Sequence, residues 1–138
     1  IGRYSLNTNS LIVEIGSNDG TMLRFFKNKG MRVVGVDPAE KIAAAASESG
    51  VETIPALFDS SSTLIWKNKY GEADLIVANN VFAHIDDLSD VVKGIKSWLA
   101  DDGVFVFEVS YLSDVIEKTL FDTIYHEHLS YHSVISLI

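Results

Sequence analysis

The chain contains no cysteine. Disulfides and thiolate metal ligands are therefore excluded, and a reducing cytoplasm is the compatible compartment. Proline is down to 2 residues, and no low-complexity tract, linker or internal repeat interrupts the sequence. Positive charge is scarce: 11 Lys and Arg face 19 Asp and Glu, for a formal net charge of −8. Such a chain offers no basic footprint for nucleic acid, although a local patch or a helix N-terminus can still hold a small anionic substrate. No apolar run approaches the ~18 residues of a membrane span, and nothing after Ile1 reads as a signal peptide. The expected partner is a small molecule, with no nucleic acid and no membrane, in the cytoplasm. What remains, 138 residues of which 47% are hydrophobic, is enough for one domain with one core.

Apolar strand-like runs alternate with helix-like segments. "LIVEI" (11–15), "RVVGVD" (32–37), "ADLIVANN" (73–80) and "GVFVFEV" (103–109) are the clear strands, and "VETIPA" (51–56) is a shorter candidate. A helix of about ten residues should end near Gly30. "PAEKIAAAASESG" (38–50) opens on Pro38 and closes on Gly50, as helices do. In the 86–103 segment Leu88, Val91, Val92, Ile95 and Leu99 recur at helical intervals. "LSDVIEKTLF" (112–121) predicts a last helix with Ser113 or Asp114 near its start. Continuous apolar strands separated by helices imply a mostly parallel sheet covered on both faces, a doubly wound α/β fold. A full domain of that type carries two more strands, so the chain reads as one domain cut after its fifth strand and the helices that follow.

"VEIGSNDGTML" (13–23) is a strand, a tight turn and a helix start. This fold binds cofactors at that turn. A dinucleotide site wants G-x-G-x-x-G, so that pyrophosphate can lie on bare backbone. Here the order is Gly16-Ser17-Asn18-Asp19-Gly20-Thr21. The remaining fingerprint glycines are missing, and Asp19 would oppose a pyrophosphate. S-adenosylmethionine, with its sulfonium and its amino-acid tail, suits Glu14 and Asp19 better. Asp37 ends the second strand, where an acid accepts hydrogen bonds from ribose hydroxyls. That ribose is common to NAD and S-adenosylmethionine, so Asp37 marks a nucleoside without choosing between them. A plain glycine turn with Asp37 as a cap is the alternative. Asn79 and Asn80 end the "ADLIVANN" strand facing the same crevice, unless they merely form a turn. His84 lies four positions beyond Asn80, where a lone histidine also serves as a cap or packing residue.

"DTIYHEHLSYH" (122–132) holds three of the four histidines. His126 and His128 could flank a metal, and His128 and His132 have i, i+4 spacing. The H-E-x-x-H pattern fails, because Ser130 stands where the second histidine belongs, and only Glu127 and Asp122 are near to complete a ligand set. No metal is expected. Exposed histidines at the start of a helix are the plainer alternative.

Taken together, "VEIGSNDGTML", "GVDPA", "ADLIVANNVFAHIDDL", "GVFVFEVSYL" and "DTIYHEHLSYHS" resemble the S-adenosylmethionine-dependent sugar C-methyltransferases of deoxysugar biosynthesis, from about Leu11 to Ser133. The resemblance implies a Rossmann-like class I methyltransferase fold. It implies methylation of a carbon next to the ketone of a nucleotide-linked 4-keto-6-deoxysugar. It puts the cofactor on the Gly16–Gly20 segment and Asp37; Glu14 and Asn79, read from their charge and strand-end position, complete the cofactor-binding set. Asn80 and His84 match the family's substrate-facing loop. Tyr125, Glu127 and His128 match its catalytic segment, with His128 and Tyr125 as proton-transfer groups. The family also has an N-terminal zinc module built on cysteines and a C-terminal region that helps hold the nucleotide-sugar. Neither is in these residues, and both are expected in the full-length protein.

The residue types suit that chemistry. Carbon must lose the proton α to the ketone before it can attack a sulfonium methyl. Histidine as a residue type, with an ordinary pKa near ~6.5, is a serviceable base at pH 7. Tyr125 can donate to the developing oxyanion or relay a proton. Glu127 can orient an imidazole or hold a substrate hydroxyl. His126, if the segment is extended, points away from its neighbours and is left out of the catalytic set.

Overall fold

The computed structural model describes residues 2–137. Ten elements follow one another: β1 (Leu11–Ile15), α1 (Thr21–Lys27), β2 (Arg32–Val36), α2 (Glu40–Glu48), β3 (Thr53–Ile54), α3 (Ser60–Tyr70), β4 (Ala73–Asn79), α4 (Leu88–Trp98), β5 (Leu99–Glu108) and α5 (Leu112–Glu117). All strand pairs are parallel, in the order β3-β2-β1-β4-β5. The chain winds outward from β1 to β3, then crosses back to place β4 on β1's other side. That reversal opens a crevice over the carboxyl ends of β1 and β4. This is the expected doubly wound α/β fold.

Every residue of β1 is buried, because helices cover both faces of the sheet. Leu11, Val13 and Ile15 face one core with Val36, Ile76, Phe58, Trp66 and Trp98. Ile12 faces a second core with Leu23, Val51, Leu75 and Val77. Trp98 is fully buried and lies 5.5 Å from the Trp66 ring and 6.2 Å from Phe58. Truncating it to alanine would cost about 3–5 kcal/mol.

Several boundaries differ from the sequence reading. Helix α3 carries no obvious amphipathic stripe, and Leu64 and Ile65 stay exposed. It forms because Asp59 caps it, accepting from the Ser62 N–H at 2.8 Å, and because Trp66 and Thr63 pack inward. Ser60 also donates its N–H to Asp90 of α4, tying the two helices together. Helix α1 is shorter than expected, and Gly30 closes the turn after it. Helix α2 starts at Glu40, two residues beyond Pro38, since Asp37 holds the Ala39 N–H at 2.9 Å. Strand β5 begins at Leu99, taking residues the helical spacing had claimed, with an irregular register against Ala73–Leu75. Helix α5 starts at Leu112, with Ser113 and Asp114 in its first turn as expected, and runs only to Glu117. Among the described residues no helix is long and apolar enough to cross a membrane.

Candidate active site

The floor of the crevice is built by β1, β2 and the loop between β1 and α1. Gly16 has φ +68, and a Cβ there would lie 2.5 Å from the Val81 Cγ2. Only glycine fits, both for the left-handed backbone and for the close approach of the β4–α4 loop. Gly16 and Ser17 donate their N–H groups to the Val36 carbonyl at 2.8 and 3.3 Å. Asn18, at φ +49, donates its N–H to Asp37 Oδ2 at 2.9 Å, while Asp37 Oδ1 accepts from Ala39. The Asp37 carboxylate is thus aimed by two backbone donors at the end of β2. Lone pairs remain on both of its oxygens for ribose hydroxyls.

Glu14 lies on β1 between Gly35 and Val77. It is 5% exposed, and its Oε2 has no hydrogen-bond partner; nor does the buried Ser17 Oγ. Burial pushes the Glu14 carboxyl up to about 7. The Asn79 amide partly offsets this, and the neighbouring Asp19 and Asp37 add to it. A buried carboxyl among acids, with an orphaned oxygen, is a place for a cationic ligand group. The residues present therefore fit a nucleoside that carries a positive tail, and they do not fit a pyrophosphate.

Asp19 serves differently. Its carboxylate accepts from the Thr21 N–H at 2.9 Å and lies 3.5 Å from Arg24. The Thr21 bonds hold it below its ordinary pKa, and it caps α1 in solvent. Asn79 donates to the Met22 sulfur at 3.3 Å. Asn80, at φ +54, donates its side-chain amide to Glu108 Oε1 at 3.0 Å and its N–H to the Glu108 carbonyl at 2.8 Å.

The histidine segment folds back onto the turn formed by Phe82–His84. Leu129 and Ser130 both donate N–H groups to the Ala83 carbonyl, at 2.7 and 3.3 Å. A turn from Tyr125 to His128, closed at 3.1 Å, sets their rings 4.1 Å apart. His128 Nδ1 lies 2.8 Å from the Thr123 carbonyl and its Nε2 lies 2.8 Å from the Tyr125 hydroxyl. A carbonyl only accepts, so Nδ1 carries the hydrogen. In the neutral ring Nε2 is then the basic nitrogen and accepts from Tyr125. His84 is fixed in the same way: its Nδ1 donates to the Glu127 carbonyl at 2.8 Å, and its ring lies 5.0 Å from that of His128.

Three of the expected catalytic residues, His84, Tyr125 and His128, are thus brought together. Glu127 contributes its carbonyl, while its carboxylate points outward, 65% exposed and 4.0 Å from the solvent-facing His126. Among the described residues no cluster of three His, Cys, Asp or Glu is set to hold a metal ion. Two contributors escaped the sequence reading. Tyr131 stands edge-on to His128 and donates its hydroxyl to Thr123 at 3.1 Å. Gly35 lets Ser17 pack against β2, since a Cβ there would collide with the Ser17 Oγ. A glycine inside a strand was the available signal for that approach.

A family model described as "Methyltransferase domain" matches residues 2–137. The chain belongs to the methyltransferase domain family. It is 44% identical over 137 residues to the C-methyltransferase NovU of Streptomyces niveus, covering 99% of this chain and 33% of NovU. This methyltransferase domain thus spans about a third of that relative's length. Among solved structures, its fold is similar to YcgJ of Bacillus subtilis, with a TM-score of 0.73 and 16% identity over 99% of this chain and 61% of that one. A SAM-dependent methyltransferase of Archaeoglobus fulgidus is similar with a TM-score of 0.71 and 16% identity, over 94% of this chain and 57% of that one. The fold is therefore that of the class I methyltransferases.

Proposed function

We propose that residues 1–138 are the S-adenosylmethionine-binding core of a C-methyltransferase. Its acceptor is the carbon next to the ketone of a nucleotide-linked keto-deoxysugar. The observation that carries this reading is the tautomer-locked His128, whose basic Nε2 meets Tyr125 beside His84 at the rim of the cofactor crevice. Transfer to oxygen or nitrogen does not need a carbon base, whereas transfer to carbon does. Similarity to a C-methyltransferase over nearly the whole chain supports the same reading.

Bound S-adenosylmethionine would supply a methyl group on a positively charged sulfur. Gly16–Gly20, Glu14 and Asp37 would hold it, with Asn79 beside them. In the resting site the Tyr125 hydroxyl covers His128 Nε2. An acceptor that takes the Tyr125 hydrogen bond onto its ketone oxygen uncovers Nε2. The α C–H bond then breaks, its proton passes to Nε2, and its electron pair forms the enolate. Protonated Nε2 now donates to the Tyr125 oxygen while the Tyr125 hydroxyl donates to the enolate oxygen. The enolate carbon is left to take the methyl group. Asn80 and His84 border the acceptor, and Glu127 acts through its carbonyl by holding His84.

Within this reading the residues form one domain of a longer cytoplasmic protein. A zinc module and a nucleotide-holding region complete it, so the core alone turns over poorly. Mass spectrometry of the full-length protein with S-adenosylmethionine and a panel of nucleotide-linked 4-keto-6-deoxysugars tests the function. A product heavier by CH2, with the new methyl group on carbon, is expected. Methylation of oxygen, or of none of the panel, contradicts it.

A further inference from the structure

A second cavity, of about 300 Å³, opens at the carboxyl end of β5. Phe107, Glu108, Tyr111, His132 and Val134 are among the residues that line it. Its lining approaches the catalytic residues along the chain from two sides. Glu108 is tied to Asn80, four residues before His84, through the amide at 3.0 Å. His132, 6% exposed, lies four residues after His128. It is pinned by Ser130 Oγ at 2.9 Å from Nε2 and by the Leu112 N–H on its carbonyl at 2.8 Å. Hydrogen bonds thus hold both Glu108 and His132 in the wall.

The chemistry of the lining selects a ligand. The volume lies at the lower end of small-molecule pockets, room for one substituted ring and not for a whole nucleotide-sugar. No Lys or Arg lines it, and one carboxylate does. A phosphate would meet that carboxylate uncompensated, in a chain of net charge −8. Glu108 spends Oε1 on Asn80, and among the described residues nothing bonds Oε2. Glu108 is exposed, and that oxygen is free to accept from a ligand. Tyr111 and Val134, both exposed, offer apolar walls suited to the C–H face of a ring.

We propose that this cavity is the subsite for the sugar ring of the methyl acceptor, and that Glu108 sets specificity by accepting a hydrogen bond from a ring hydroxyl or amino group. The inference rests on the function proposed above. It goes further by separating the ring, seated on β5, from the diphosphate, which has to leave the cavity. It also adds Glu108 as a residue that touches substrate.

The test uses the full-length protein and Glu108→Gln, which keeps the side chain's shape and an acceptor for Asn80. KM for the keto-sugar should rise about tenfold or more, the weight of a hydrogen bond to a charged group. S-adenosylmethionine affinity should be unchanged, and kcat should stay within about threefold. An unchanged KM, or a loss confined to kcat, overturns the proposal, since a merely structural tie to Asn80 would act through positioning. A second measurement does not depend on turnover. Free fucose, a 6-deoxyhexose without phosphate, should shift the Val109 and Val134 methyl resonances of wild type and not of Glu108→Gln. Inorganic pyrophosphate should shift neither. Shifts with pyrophosphate, or none with fucose, overturn the subsite. If fucose binds as expected while no keto-sugar is methylated, the proposed function falls and the ring subsite stands.

Discussion

The two halves of the site are made in different ways. The cofactor floor is set by strands: β1 is buried along its length, and Asp37 and the Gly16–Ser17 turn are held by backbone hydrogen bonds across the sheet. The catalytic segment belongs to no strand or long helix. Phe121, Ile124, Tyr125 and Leu129 are all exposed by 44% or more, and a few hydrogen bonds to Ala83, Thr123 and Glu127 hold the rings. Local opening should therefore be far easier in the segment than in the floor. The floor is preorganised for a nucleoside before anything binds, whereas the segment depends on what packs over it.

Substitutions in the two halves should fail differently. The largest effect is expected from His128→Asn in full-length protein, which should lower kcat by ~10²–10⁴, the weight of general base catalysis. Calorimetry should find its S-adenosylmethionine affinity nearly unchanged. A matching loss of affinity would mean that the two halves are one cooperative unit. Asp37→Ala reverses the pattern: cofactor binding should weaken by roughly 1.5–3 kcal/mol, as for hydrogen bonds to a charged group. NAD should bind more weakly than either S-adenosylmethionine or S-adenosylhomocysteine.

Glu14 gives the floor a pH signature. Its folded-state carboxyl holds its proton up to about 7, more tightly than an unfolded chain would. The stability it contributes is thus fully present below the ordinary carboxylate range and is lost as pH rises through about 7. A cationic ligand favours the ionised form, so S-adenosylmethionine affinity should rise by about tenfold between pH 6 and 8. Binding should release a proton, visible as a buffer-dependent calorimetric heat. Glu14→Gln should flatten both the stability and the affinity profile; profiles that keep their slope would remove Glu14 from the account. The smallest effect is expected from Tyr131→Phe. It removes one hydrogen bond to the Thr123 carbonyl that orients His128, and kcat should fall about two- to tenfold. A loss as deep as that of His128→Asn would move Tyr131 into direct proton transfer.

The same contrast governs what could be read from the residues. The strands, Gly16, Glu14 and Asp37 were legible because burial and turn geometry are local demands that leave local patterns. Helix α3 was not, since it is stabilised by the Asp59 cap and by Trp66 meeting Trp98, a contact between residues far apart in sequence. His84 and His128 were visible as residue types. Their 5.0 Å approach is made by the Ala83 carbonyl capturing the backbone at 129 and 130. Glu127 illustrates the limit: its carboxylate attracted the functional reading, and its carbonyl is what holds the site. No side-chain pattern reports the use of a backbone oxygen.

The central claim is that a carbon base acts before methyl transfer, and that it is His128. The direct measurement is deuterium washout from the carbon next to the ketone of a nucleotide-linked 4-keto-6-deoxysugar. Full-length protein is used, with S-adenosylhomocysteine in place of S-adenosylmethionine so that transfer cannot follow. Wild type should exchange that position with solvent, and His128→Asn should lose exchange while still binding S-adenosylhomocysteine. Exchange that survives the substitution unchanged would contradict the assignment and hand the role to His84 or Tyr125.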